Sequence, residues 1–231
     1  MTINERLAEV LVIAAHPDDE VLGCGGTLPL HVRNGERVEV VIACESESLR
    51  YGGPGGTIDM NAQMHAAAKE LGVHEVTLLG FEDQNLEAIR LTKLITPLEE
   101  IVDRLRPRVI YCQYGGDVNR DHQLLFKAAP VACRPTHPSI EAMFAFYTHS
   151  STEWAYPRTF VPDTWVDIGE TLHQKLAAMA RYQSEMHDFP HPRSLQAIRS
   201  RAEAEGATCC LPAAEAFMTV RRISRGGQTP G

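Results

Sequence analysis

A continuous apolar run, Val10-Leu-Val-Ile-Ala-Ala15, leads without a break into His16-Pro17-Asp18-Asp19-Glu20. A buried strand does not carry such a run of ionisable groups without partners, so the strand ends at His16. Pro17 disfavours helix at the residue before it, and a helical pattern resumes over 20–33. The polar cluster therefore sits on a tight strand-to-helix turn, the place where open α/β sheets bind ligands. His16 and Asp19 leave that turn as an imidazole and a carboxylate, which suits half of a zinc site. A helix cap with solvated charges is the competing reading of the same residues.

A second cluster favours the metal. Arg108-Val-Ile-Tyr-Cys-Gln113 reads as another buried strand and runs into Gly115-Gly-Asp-Val-Asn-Arg-Asp-His122, after which residues 123–129 have a helical pattern. Two strands thus deliver acids and histidines to one sheet edge.

Between and beyond these clusters, strands alternate with helices. Residues 37–44 form a Val-rich strand that completes a parallel β-α-β unit with the first, and Pro29 falls inside the intervening helix as a possible kink. Residues 45–59, with Gly52-Gly-Pro-Gly-Gly56 inside, read as a mobile loop over the site, and Arg50 in it can hold a ligand's hydroxyl or a phosphate, or simply be solvated. A helix over 61–71 and a strand over 76–79 follow, then Asp83 at a strand-to-loop junction, as a ligand to substrate or as a turn residue. The pattern continues with a helix over 92–105 and a strand over 143–147 leading to His149. Helices over 169–186 and 196–205 come after it. Two polar-aromatic stretches, 154–160 and 188–194, bracket the first of these helices and read as variable walls of a substrate cleft. The other histidines, 31, 65, 74, 137, 173, 187 and 191, read as surface or satisfied groups.

Charge and cysteines narrow the function classes. A net charge of −8, with no basic stretch interleaved with aromatics, argues against nucleic acid as a partner. Arg221, Arg222 and Arg225 read as part of a tail. No apolar run reaches the length of a membrane span and the start shows no signal pattern, so the expected location is cytoplasmic. The cysteines at 24, 44, 112, 133, 209 and 210 have no CxxC spacing and read as reduced thiols. With 231 residues, one domain over 1–225 is expected, with a disordered tail at 226–231. Homo-oligomerisation is left open.

Ala15-His-Pro-Asp-Asp-Glu20, taken with Asp121-His122, resembles the LmbE-like, PIG-L type zinc de-N-acetylases, and the likeness extends to Ala214-Glu-Ala-Phe217. The resemblance implies a Rossmann-like, three-layer α/β/α fold with a mainly parallel sheet and one zinc ion. It implies His16, Asp19 and His122 as zinc ligands and Asp18 as the general base. The substrate it implies is a small N-acetylglucosamine-type amino sugar or conjugate, cleaved to acetate and a free amine. Arg50 and Asp83 match the family's substrate-contacting residues. Three protein ligands leave the open metal position that hydrolysis needs, and a free carboxylate beside them can take a proton from attacking water. Many members carry a histidine three positions before the ligand histidine to steady the oxyanion, whereas this chain has Asn119. An amide donates a hydrogen bond without charge, so the oxyanion is expected to rely on zinc and Asn119 or to borrow His149. Asp121 is a candidate to orient the site, or a helix cap. A dinucleotide-binding oxidoreductase does not fit, because His16 to Glu20 stand where G-x-G-x-x-G should follow the strand and Leu28 occupies its last position. A non-catalytic carbohydrate-binding relative should have lost the base or a ligand. Cleavage of a thiol-sugar amide is the nearest alternative within the enzyme class.

Overall fold

In the computed structural model of the chain, which describes residues 9–45 and 59–225, every residue of β1 (Val10–Ala14), β2 (Val38–Cys44) and β4 (Val109–Gln113) is buried. Strands buried on both faces belong in the interior of a parallel sheet covered by helices on two sides. The sheet has seven strands in the order β3-β2-β1-β4-β5-β7-β6, with β3 at Glu75–Phe81, β5 at Ala142–Phe146, β6 at Thr164–Asp167 and β7 at Ala214–Arg222. The first five strands are parallel, and β7 runs antiparallel to both β5 and β6.

Alternate strand positions feed two cores. Val10, Val12 and Ala14 face the one completed by α3 (Met60–Leu71), α6 (Leu172–Met179) and α7 (Leu195–Thr208). Leu11 and Ile13 face the one closed by α4 (Leu91–Leu105) and α5 (Arg120–Ala132). The fold is thus the expected three-layer α/β/α arrangement. The strand order reverses between β1 and β4, and both polar turns emerge there, at the switch point where doubly wound sheets form a crevice.

Several elements differ from expectation. The helix over 20–33 is two helices, α1 (Asp19–Cys24) and α2 (Thr27–Arg33), broken at Gly25-Gly26. The break is not at Pro29, which lies in the first turn of α2, where a backbone N–H needs no helical partner. A Cβ on Gly26 would stand 2.7 Å from the Ile168 side chain, so a close packing contact also selects glycine here. Glu215 of β7 binds the start of α2, accepting from Gly26 N at 2.9 Å, Thr27 N at 2.8 Å and Thr27 Oγ1 at 2.6 Å. Lys175 Nζ pairs with Glu215 at 2.5 Å. The helix over 169–186 is shorter, and β6 has no counterpart in the sequence reading because four residues give too little alternation to detect. Arg221 and Arg222 lie in β7, with Arg221 donating to the Cys133 carbonyl, and not in a tail. Residues 226–231 and the loop glycines 52–56 lie outside the described residues. Among the described residues, no helix is long and apolar enough to cross a membrane.

Candidate active site

The turn after β1 is strained where it matters. Asp18, buried and at the start of α1, has φ 103°, a left-handed conformation uncommon for a residue with a side chain. Glu20 supports it: one carboxylate oxygen accepts from Asp18 N at 3.1 Å and the other from the Tyr182 hydroxyl at 2.6 Å. Burial pushes Glu20 up to about 7. Glu20 is thus a buttress beneath the turn, while Asp18 lines the cavity above it.

His16, Asp19 and His122 converge across the switch point. His16 Nδ1 is 3.2 Å from Asp19 Oδ2 and 3.2 Å from His122 Nε2, and His122 Nε2 is 3.4 Å from Asp19 Oδ2. Zinc–ligand bonds of about 2.0–2.1 Å in a tetrahedron set neighbouring donors about 3.3–3.4 Å apart, so this triangle has the size zinc requires. Burial opposes ionisation of Asp19, yet the two imidazoles outweigh it and hold the carboxyl far below its ordinary range. Burial also opposes charge on His16 and His122, but the acids around them raise both. A site that favours a proton on each imidazole favours a divalent cation among them, which binds by displacing those protons.

Each donor is held from behind. His16 Nε2 lies 3.1 Å from Asp121 Oδ2 and 3.1 Å from Asp83 Oδ1. Asp121 also accepts from Gln84 N at 2.8 Å and Leu86 N at 3.2 Å, so it is a hub joining α5 to the loop after β3 and more than a cap. His122 Nδ1 lies 3.2 Å from Asp117 Oδ1, within ion-pair distance though not aligned for a hydrogen bond. Gln113, the last residue of β4, donates to Asp19 Oδ2 at 2.5 Å and accepts from Ala15 N at 2.6 Å. Such partners fix tautomer and orientation in metal sites. His16, Cys44 and Asp121 form a second cluster of donors. Burial pushes the Cys44 thiol up to about 11, which keeps it protonated and a poor ligand.

A cavity of about 210 Å³ opens over the triangle, lined among others by Asp18, Asp83, Asn119, Trp154 and Arg193. Asn119 caps α5, its side-chain oxygen accepting from Asp121 N at 2.9 Å, which leaves its NH2 group as the end available to a ligand. Arg193 Nη1 stands 2.9 Å from Asp18 Oδ2, an ion pair without hydrogen-bond alignment, and 2.7 Å from Glu185 Oε2. Burial raises Asp18 well above the usual carboxylate range, Arg193 resists that rise, and the Asp19 charge adds to it.

His149 is the correction. Its ring is buried and lines a separate cavity of about 30 Å³ with Lys175 and Glu215, not the one over the triangle. Burial first, then Lys175, Arg201 and Arg193, hold it well below the ordinary histidine range, so it is neutral and misplaced for the oxyanion. Arg50 lies outside the described residues. Gln113, Asp117 and Arg193 were missed. A polar residue closing a buried strand and an unassigned acid in the second turn were the signals for the first two, whereas Arg193 lies in the 188–194 stretch read as a cleft wall, where nothing singled out the arginine itself.

Comparison with known proteins adds independent support. Residues 11–133 match the family PIG-L, GlcNAc-PI de-N-acetylase. The chain is 30% identical over 181 residues to the uncharacterized deacetylase YaiS of Escherichia coli K12, covering 76% of this chain and 90% of that one. It is 28% identical over 192 residues to the "Probable N-acetyl-alpha-D-glucosaminyl L-malate deacetylase 2" of Bacillus cereus, covering 76% and 83%. GalB, the 4-carboxy-2-hydroxymuconate hydratase of Pseudomonas putida KT2440, superposes with a TM-score of 0.76 at 20% identity, over 96% of this chain and all of that one. That last likeness is one of fold alone, and it shows that the reaction must be argued from the site.

Proposed function

Because the chain belongs to the PIG-L family of GlcNAc-PI de-N-acetylases, we propose that it is a zinc-dependent hydrolase removing the N-acetyl group from an N-acetylglucosamine-type amino sugar or its conjugate. The observation that carries this reading is the donor triangle of His16, Asp19 and His122 with the free carboxylate of Asp18 beside it, at the floor of one cavity.

Zinc held by His16, Asp19 and His122 would polarise the acetyl carbonyl and make water acidic enough to attack near neutral pH. Asp18 takes the proton from the attacking water. Burial raises its pKa and so favours its protonated form, and the same carboxyl can then hand that proton to the departing sugar nitrogen, giving acetate and a free amine. Arg193 holds the Asp18 carboxylate in place and opposes the burial that disfavours its charge. The Asn119 amide donates to the developing oxyanion, in place of the charged histidine of many relatives. Asp83, at the cavity wall beside His16, accepts from a sugar hydroxyl, and Arg50 is proposed as a further substrate contact on the family resemblance alone. Asp121 orients His16. We place the protein in the cytoplasm as one domain over 1–225, consistent with free buried thiols at Cys24, Cys44, Cys112 and Cys133. The reading is tested by screening N-acetylated amino sugars for acetate release by the zinc-loaded protein. Release of acetate and free amine in equal amounts supports it, and no release from any amino sugar opposes it.

A further inference from the structure

The cavity over the donor triangle, at about 210 Å³, is smaller than the roughly 300 Å³ at which pockets for drug-sized ligands begin. A cavity of this size suits a single sugar ring at the donor triangle, so a group attached to that sugar would lie toward the mouth. Trp154 stands there with 55% of its surface exposed, although it lines the cavity. His191 meets the indole edge-to-face at 6.3 Å, and the His187 ring lies 4.0 Å from that of His191. An indole half exposed on the wall of a polar cavity offers a ligand a flat apolar face beside hydrogen-bonding groups.

We infer that Trp154 and His191 form a subsite for a second pyranose ring linked to the amino sugar. The inference rests on the deacetylase reading for the identity of the first ring. A pyranose has an apolar C–H face and a rim of hydroxyls, and the cavity wall offers the matching pair: the indole for the face, and Ser150 and Glu185, each held by Arg193 at 2.7 Å, for the rim. An alkyl chain laid on the same surface would strip water from those polar groups and give nothing back.

The subsite is fixed relative to the chemistry. Trp154 ends a short 3₁₀ turn, Thr152–Trp154, whose Thr152 hydroxyl donates to Asp117 Oδ2 at 2.6 Å, while the Ser151 hydroxyl donates to Asp117 Oδ1. Asp117 is also the acid beside His122. One buried carboxylate thus ties the aromatic platform to a metal ligand. On the other side, His191 Nδ1 accepts from Arg193 N at 3.1 Å, and Arg193 touches Asp18.

The test is calorimetric binding to the zinc-loaded Asp18→Asn protein, with N-acetylglucosamine, N,N'-diacetylchitobiose and octyl N-acetylglucosaminide as probes, alongside acetate release by the wild type. The disaccharide should bind about tenfold tighter than the monosaccharide, with Trp154→Ala removing that advantage and Trp154→Phe keeping most of it. Circular dichroism confirms that both variants fold. Equal affinity for mono- and disaccharide, or octyl glycoside binding as tight as the disaccharide, overturns the subsite. A Trp154-dependent disaccharide preference without acetate release overturns the deacetylase reading and leaves the subsite standing; acetate release without the preference does the reverse.

Discussion

His16 and Asp121 are 105 positions apart in sequence, and their side chains meet at 3.1 Å, Nε2 to Oδ2. The contact joins the turn after β1 to the turn after β4, so each half of the site is held by the other. Asp121→Asn keeps the size of the side chain but weakens its pull on the imidazole. It should lower zinc affinity about 10- to 100-fold, read by competition with a chromogenic chelator. Unchanged affinity would reduce Asp121 to a structural hub.

Arg193 opposes the burial that raises Asp18. Removing the guanidinium leaves that rise unresisted, so in Arg193→Met the acidic limb of kcat/KM should move to higher pH. No descending limb from a histidine helper is expected, because Asn119 stands where that histidine would be. A pH series on both proteins checks the direction. A limb that stays in place in Arg193→Met would show that the ion pair does not set the base.

The buried Lys175–Glu215 pair carries a stability prediction. Lys175→Met leaves Glu215 charged and buried at the start of α2, which should cost about 3–5 kcal/mol in urea unfolding. Adding Glu215→Gln should recover part of that loss, since the neutral amide still accepts from Thr27.

Glu36 gives a pH-dependent one. Burial raises its pKa, but His31 and Arg108 outweigh burial and hold it below its ordinary 4.5. A carboxyl with a depressed folded pKa stabilises the fold above the unfolded value and loses that contribution as pH falls through the folded one. The Glu36→Gln protein should therefore be less stable than wild type at neutral pH, with the gap closing below about pH 4 in thermal melts. A gap that persists at low pH would assign the effect to packing.

Both polar clusters were legible in sequence because each interrupts a buried strand, where charge demands a reason, whereas the division of parts among His16, Asp18, Asp19 and His122 within them came from the family resemblance. The parallel sheet was legible for a related cause, the apolar runs of β1, β2 and β4. The stretches that hold Trp154 and Arg193 were legible as cleft walls, but the individual side chains were not, because the path of these aperiodic segments depends on tertiary contacts such as those of Asp117. His149 misled because a position after a strand resembles a ligand position, whereas the ring turns into the second cavity beside Lys175. The break at Gly25-Gly26 depends on Glu215, 189 residues from Gly26, and no local pattern encodes it.

The most direct measurement is acetate release from N-acetylated amino sugars by the purified protein before chelation, after chelation, and after zinc is restored, with metal content measured in parallel. The account predicts about one zinc per chain, loss of acetate release on chelation, and recovery with zinc in the wild type but not in His122→Ala. Acetate release that persists after the metal has been removed, or full zinc occupancy in His122→Ala, would contradict it.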